Sequence, residues 1–117
     1  MELLERQLYA ILQGHHGRTH AIKVSELQFM VEASTRTIRA TIAQLVITHR
    51  IPIASTVHPP YGFYLITDET EARDCLYQYW SRVRELRRRA RILNEVVHER
   101  FGINVHQELR CDDTAEG

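Results

Sequence analysis

The chain has 117 residues, 44% of them hydrophobic, with only five glycines and three prolines, so it can build one modest core and is neither a disordered nor a fibrous sequence. Fifteen basic and fifteen acidic residues cancel, and only an uneven distribution of charge can give it an affinity for a polyanion. The distribution is uneven. No Asp or Glu lies between Ala33 and Thr67, where Arg36, Arg39 and Arg50 stand, and Asp68, Glu69, Glu71 and Asp74 are followed by seven arginines from Arg82 to Arg100.

Glu2 to Gln13 places Leu4, Leu8, Ile11 and Leu12 on one helical face, which predicts a first helix ended by Gly14-His15-His16-Gly17. Ala21 to Val24 reads as a short extended stretch, with Ser25 as the cap of a helix carrying Leu27, Gln28 and Met30. Ser34 is a second cap: beyond it Ile38, Ile42, Leu45 and Val46 form one apolar stripe. Val31, Glu32 and Ala33 are left as a tight turn, so the spacing predicts helix, turn and capped helix, the layout of a helix-turn-helix.

The period changes after Arg50. Ile51 to Ser55 and Tyr61 to Ile66 read as two short strands, joined by a loop from Val57 through His58, Pro59 and Pro60. Prolines are tolerated at such a tip, where no ladder bond is required of them.

Asp68 with Glu71 three residues later resembles a capping box, and it opens the longest predicted element. From there Ala72, Leu76, Tyr79, Val83, Leu86, Ala90, Leu93 and Val97 follow at alternating spacings of four and three, a seven-residue repeat. A helix of this length, about 45 Å at 1.5 Å per residue, outruns the small domain before it. Its seam calls for a partner, and the simplest is the same helix of a second copy, with Cys75, Trp80 and Val96 widening the contact. Two other readings stand beside this: folding back along its own domain, or a helical hairpin with Ile103, Val105 and Leu109. Cys75 itself falls in an apolar register, so its thiol is expected to be buried, unlike Cys111.

The expected layout is therefore mainly α with a small β wing: a winged helix-turn-helix over residues 1–66, a dimerisation stem over 67–101, and a polar, loose tail over 102–117. Ala33-Ser34-Thr35-Arg36-Thr37-Ile38-Arg39, continuing to Leu45, resembles the recognition helix of winged-helix regulators of the DeoR-like and biotin-operon-repressor-like group. Ile51-Pro52-Ile53-Ala54-Ser55 and Tyr61-Gly62-Phe63-Tyr64-Leu65 resemble the wing strands of those proteins. The resemblance covers residues 3–66 and implies binding of double-stranded DNA by a major-groove helix, with Ser34, Thr35, Arg36, Thr37 and Arg39 facing the DNA. Two departures weaken the implied grip: Ala40-Thr41 replaces the family's common Arg-Asp, and the wing tip His58-Pro59-Pro60 is not a basic, glycine-rich loop.

Two readings fit the arginine run: a solvated helix face paired with Glu85 and Glu95, or phosphate contacts in which Arg84, Arg88 and Arg91 address one backbone. His58 sits at a loop tip, where a phosphate contact is open to it. His15, His16 and His20 cluster in sequence, but their spacing matches no metal-ligand motif. No catalytic constellation, cofactor motif, signal peptide or membrane span is read. The expectation is a cytoplasmic, homodimeric, non-enzymatic DNA-binding protein acting in transcription, replication or phage development. A winged-helix module that docks a protein partner is the competing class.

Overall fold

The computed structural model describes residues 1–56 and 58–104. The chain divides into two compact units, Met1–Leu76 and Tyr77–Gly117. The first contains α1 (Leu3–Leu12), α2 (Val24–Val31), α3 (Thr35–Ile47), the strands β1 (Ile53–Thr56) and β2 (Gly62–Leu65), and the first two turns of α4 (Glu69–Phe101). Among the described residues the chain is mainly helical with one two-stranded antiparallel hairpin, a shape consistent with a winged-helix-like topology.

The core forms where the predicted stripes meet. Leu8 and Leu12 of α1, Leu27 of α2, and Ile38 and Leu45 of α3 are fully buried, and Ile22, Ile42, Ile51, Ile53, Phe63 and Leu65 close around them. Val46 does not belong to this stripe; it is exposed because, one residue beyond Leu45, it has turned about 100° away from the core.

Most caps fall where the residue types demand, with three corrections. Ser34 Oγ accepts from the Thr37 amide at 3.1 Å, as an N-cap should. Ser25 is not a cap: α2 begins one residue earlier, at Val24, with Lys23 in extended conformation before it. The expected extended stretch is shorter, Ala21 to Lys23, because α2 already takes Val24, and only Ile22 of it pairs with a strand. In the box that opens α4, Asp68 Oδ1 accepts from the Glu71 amide at 2.8 Å, but the Glu71 carboxylate turns elsewhere. A complete box forms instead at α1, between Glu2 and Glu5.

β1 and β2 pair from Ile53↔Leu65 to Thr56↔Gly62. The strands are shorter than the apolar runs because Ile51 is held outside the ladder. Its amide bonds the Leu45 carbonyl at 3.1 Å behind a left-handed Arg50. On the edge of β2 away from β1, where Leu65 already bonds His15 O and Gly17 N, Ile22 adds a one-residue rung, with Ile22 N donating to Phe63 O at 2.9 Å and Phe63 N to Ile22 O at 2.8 Å. Gly62 permits that approach. A Cβ there would collide with the Ile22 carbonyl and lie 2.9 Å from the Lys23 amide, and the glycine has φ +146°.

Glu71 ties the start of α4 to the loop after α1. Its carboxylate accepts from the Arg18 amide at 2.8 Å, the Thr67 amide at 2.9 Å and the Thr67 hydroxyl at 3.0 Å. Partial burial works to raise its pKa, but these donors outweigh it and hold the carboxyl below its ordinary value. Cys75 is half-buried, not enclosed as its register suggested, since no residue of α4 is fully buried.

In the second unit α4 continues to Phe101 and ends at Gly102, whose φ of +72° and amide bond to His98 O at 2.9 Å make a left-handed stop. Val57, Val105, Leu109 and Cys111 lie outside the described residues, as does most of the expected loose tail. No helix among the described residues is long and apolar enough to cross a membrane.

Candidate nucleic-acid interface

α3 is displayed by two devices. Glu32, at φ 52° and ψ 45°, ends α2 in the left-handed region and turns the chain, and Ser34 starts α3 two residues later. Burial of Ile38, Ile42 and Leu45 then leaves Arg36, Thr37, Arg39, Ala40, Ala43 and Gln44 exposed on the outer face. No acid occurs on α3 or the hairpin.

Of the residues predicted to face DNA, the three hydroxyl side chains are largely committed to the fold. Ser34 Oγ donates to Thr37 Oγ1 at 2.9 Å while accepting from the Thr37 amide. Thr35 is half-buried, and its hydroxyl donates to Gln28 Oε1 at 3.4 Å, linking α3 to α2. Thr37 Oγ1 accepts from Ser34 and keeps its own proton to donate. Arg36 and Arg39 are both exposed, but Arg39 has a second relation: its guanidinium lies over the Phe63 ring, 5.7 Å from the centroid. Such a contact is worth about 0.5–1 kcal/mol at an exposed site. It aims the cation toward the strands.

That direction leads into a groove of about 540 Å³ lined by Lys23, Val24, Ser25, Arg39, Ser55, Thr56, Tyr61, Gly62 and Phe63. Two cations, three small hydroxyls and a phenol face it, and no carboxylate does. The start of α2 has no side-chain cap, so backbone amides there remain open to an external acceptor. This arrangement can receive a phosphodiester: charge from Lys23 and Arg39, hydrogen bonds from Ser25 and Ser55, and Tyr61 against a sugar. Sequence reading missed Lys23, Ser25, Ser55, Thr56 and Tyr61, which lie on separate segments that the pairing of Ile22 with Phe63 brings together.

His58 is exposed in the loop between the strands, and Thr56 Oγ1 donates to Pro60 O at 2.6 Å across that loop. Arg84, Arg88 and Arg91 belong to the second unit and are exposed on α4. Arg84 donates to Ser81 Oγ at 3.3 Å, and Arg88 stands 3.9 Å from Glu85, a loose pair that leaves its charge available.

The histidine cluster has a structural role. His15 Nδ1 is 2.8 Å from the His20 carbonyl and His20 Nδ1 is 3.1 Å from the His16 carbonyl, so the rings brace the loop after α1. Among the described residues no three His, Cys, Asp or Glu side chains are arranged to hold a metal.

In comparisons with known proteins, the chain matches no family model, no curated protein and no solved structure.

Proposed function

We propose that this chain is a dimeric DNA-binding protein that lays α3 in the major groove, sets the Lys23–Arg39 groove on the flanking backbone, and joins two copies through α4. Regulation of transcription, or a role in replication or phage development, is the process that suits such a module. The carrying observation is the acid-free face of α3 running into a groove that collects Lys23 and Arg39 without a carboxylate. Supporting it, the N-terminus of α3 carries its helix-dipole positive charge beside Arg36. Arg84, Arg88 and Arg91 would add phosphate contacts from the second unit. No catalysis is part of this reading.

Fluorescence anisotropy with nonspecific duplex DNA across a salt series tests it. Affinity should fall steeply with salt, and Arg36→Ala with Arg39→Ala should lower the log–log slope by about two. No binding at low salt would sink the proposal. Dimerisation is checked by sedimentation of the protein beside Leu86→Glu: a dimer converted to a monomer is expected, and a monomeric parent overturns the stem.

A protein-docking role has one specific observation in its favour. Phe29 is 88% exposed and Met30 is 56% exposed on α2, next to each other and outside the core. Phe29→Ser separates the readings, since it should leave the salt-dependent DNA affinity unchanged.

A further inference from the structure

We infer that α4 pairs with α4 of a second copy antiparallel, in a single register centred between Val83 and Leu86. This rests on the dimeric reading above and adds the orientation and register, neither of which the heptad pattern alone supplies.

The seam of α4 is open along its length. Leu76, Tyr79, Leu86 and Leu93 each expose more than half of their surface, and Ala72, Val83 and Val97 are only half-buried. Its members differ greatly in size, and that difference selects how two copies fit. In a parallel pair each seam residue meets itself. Tyr79 would face Tyr79 in a crowded layer, while Ala90 would face Ala90 and Ala72 would face Ala72 across hollow ones. Hollow and overfilled layers both weaken a packed interface.

An antiparallel pair matches residues whose numbers have a constant sum. With a sum of 169, Ala72 meets Val97, Leu76 meets Leu93, Tyr79 meets Ala90 and Val83 meets Leu86, and the two-fold axis repeats these four layers in reverse. The largest residue of the seam then lies on one of the smallest, and no alanine faces another. Sliding by one heptad spoils the fit either way. A sum of 176 sets Leu76 against Arg100; a sum of 162 sets Ala72 against Ala90 and Leu93 against Glu69.

Charge does not choose between the orientations. Arg82 meets Arg89 of the second copy in the antiparallel register and Arg87 in the parallel one, a like-charge pair in both. Arg82 already lies over the ring of Tyr79 on its own helix, 5.8 Å from the centroid, so its charge is partly engaged there. The antiparallel pair also brings Trp80 beside Arg87 of the second copy, a cation–π contact absent from the parallel pair. Volume decides. In this register the two Glu69 residues stand about 46 Å apart along the stem, instead of side by side.

Cysteine cross-linking reads the orientation directly. In a Cys75→Ser, Cys111→Ser background, Leu76→Cys and Leu93→Cys are introduced together, so that Tyr79 and Ala90 stay in place; the protein is oxidised, and the linked peptides are mapped by mass spectrometry. Positions 76 and 93 are about 26 Å apart on one helix, beyond reach of a disulfide within one chain. Dimers linking position 76 to position 93 are expected. Links of 76 to 76 and 93 to 93 overturn the inference while leaving a dimeric stem, as does a protein that sediments as a dimer but forms no link. A monomeric parent overturns both readings. Ala90→Leu gives an independent measurement on the otherwise unchanged chain. It should weaken the dimer roughly tenfold by crowding Tyr79, whereas tighter association, from filling the parallel hollow, refutes the antiparallel fit.

Discussion

Replacing Gly62 by alanine probes the joint that brings Lys23 and Arg39 to one groove. The added methyl meets the Ile22 carbonyl and the Lys23 amide, both backbone atoms with no side-chain rotation to relieve them. Relief requires Ile22 to leave β2, which loses the two hydrogen bonds between Ile22 and Phe63. At about 1 kcal/mol for each bond, plus about 1 kcal/mol for a side chain at positive φ, the cost is roughly 3 kcal/mol. Thermal melting followed by circular dichroism should show a Tm lower by about 12 °C or more, at 4–8 °C per kcal/mol for a domain of this size. Weaker DNA binding should accompany it, because Lys23 follows Ile22 directly. A Gly62→Ala protein that melts within about 2 °C of the parent would refute the account of the Ile22 rung.

Other expectations follow from single contacts. Ser34→Ala removes the N-cap of α3 and should cost about 1 kcal/mol, measured by urea denaturation, with Ser34→Asp recovering most of it. Glu32→Gly relieves a left-handed non-glycine residue at the end of α2 and should stabilise by about 0.5–1 kcal/mol; an unchanged midpoint counts against strain there. Two carboxyls predict acid sensitivity. Glu5 is held below its ordinary pKa by the Glu2 amide first, and then, against the opposing effect of burial, by His49, whose Nε2 is 3.0 Å away. Glu71 is depressed in the same direction. Stability from groups whose folded pKa is lowered is complete above the ordinary carboxylate range and is lost as pH falls through it and below. Urea midpoints should therefore fall from neutral pH toward pH 3, and Glu5→Gln with Glu71→Gln should flatten that fall.

The helical part of this fold was legible because its signals are local. Ser34 before a stripe of Ile38, Ile42 and Leu45 states both a cap and a buried face within one short segment, and the seam from Ala72 to Val97 repeats too regularly to be missed. What stayed hidden is carried by single long-range contacts. Ile22 pairs with β2 through one residue, which has no periodicity to detect. Glu71 resembles a capping residue by spacing, yet its carboxylate accepts from the Arg18 amide, 53 positions away, a partner that local spacing cannot reveal. Arg39 could be placed on the outer face of α3, but its turn toward Phe63 depends on how the hairpin docks. The groove was invisible for the same reason.

These contacts set how strongly one copy can hold DNA under the proposed function. Ser34 and Thr35 are occupied by the fold, and Ala40 has no charge to offer, so α3 itself contributes Arg36 and Arg39. Lys23 adds a third cation, giving the first unit of one copy a salt slope of about three at 0.9 per neutralised phosphate, to which any contacts of Arg84, Arg88 and Arg91 add. A dimer engaging one duplex with both copies should approach twice that slope. Comparing the parent with Leu86→Glu therefore measures more than affinity. If the slope halves when the stem is broken, both copies touch DNA at once; if it is unchanged while the protein has become monomeric, one copy makes all the phosphate contacts and the stem serves another purpose.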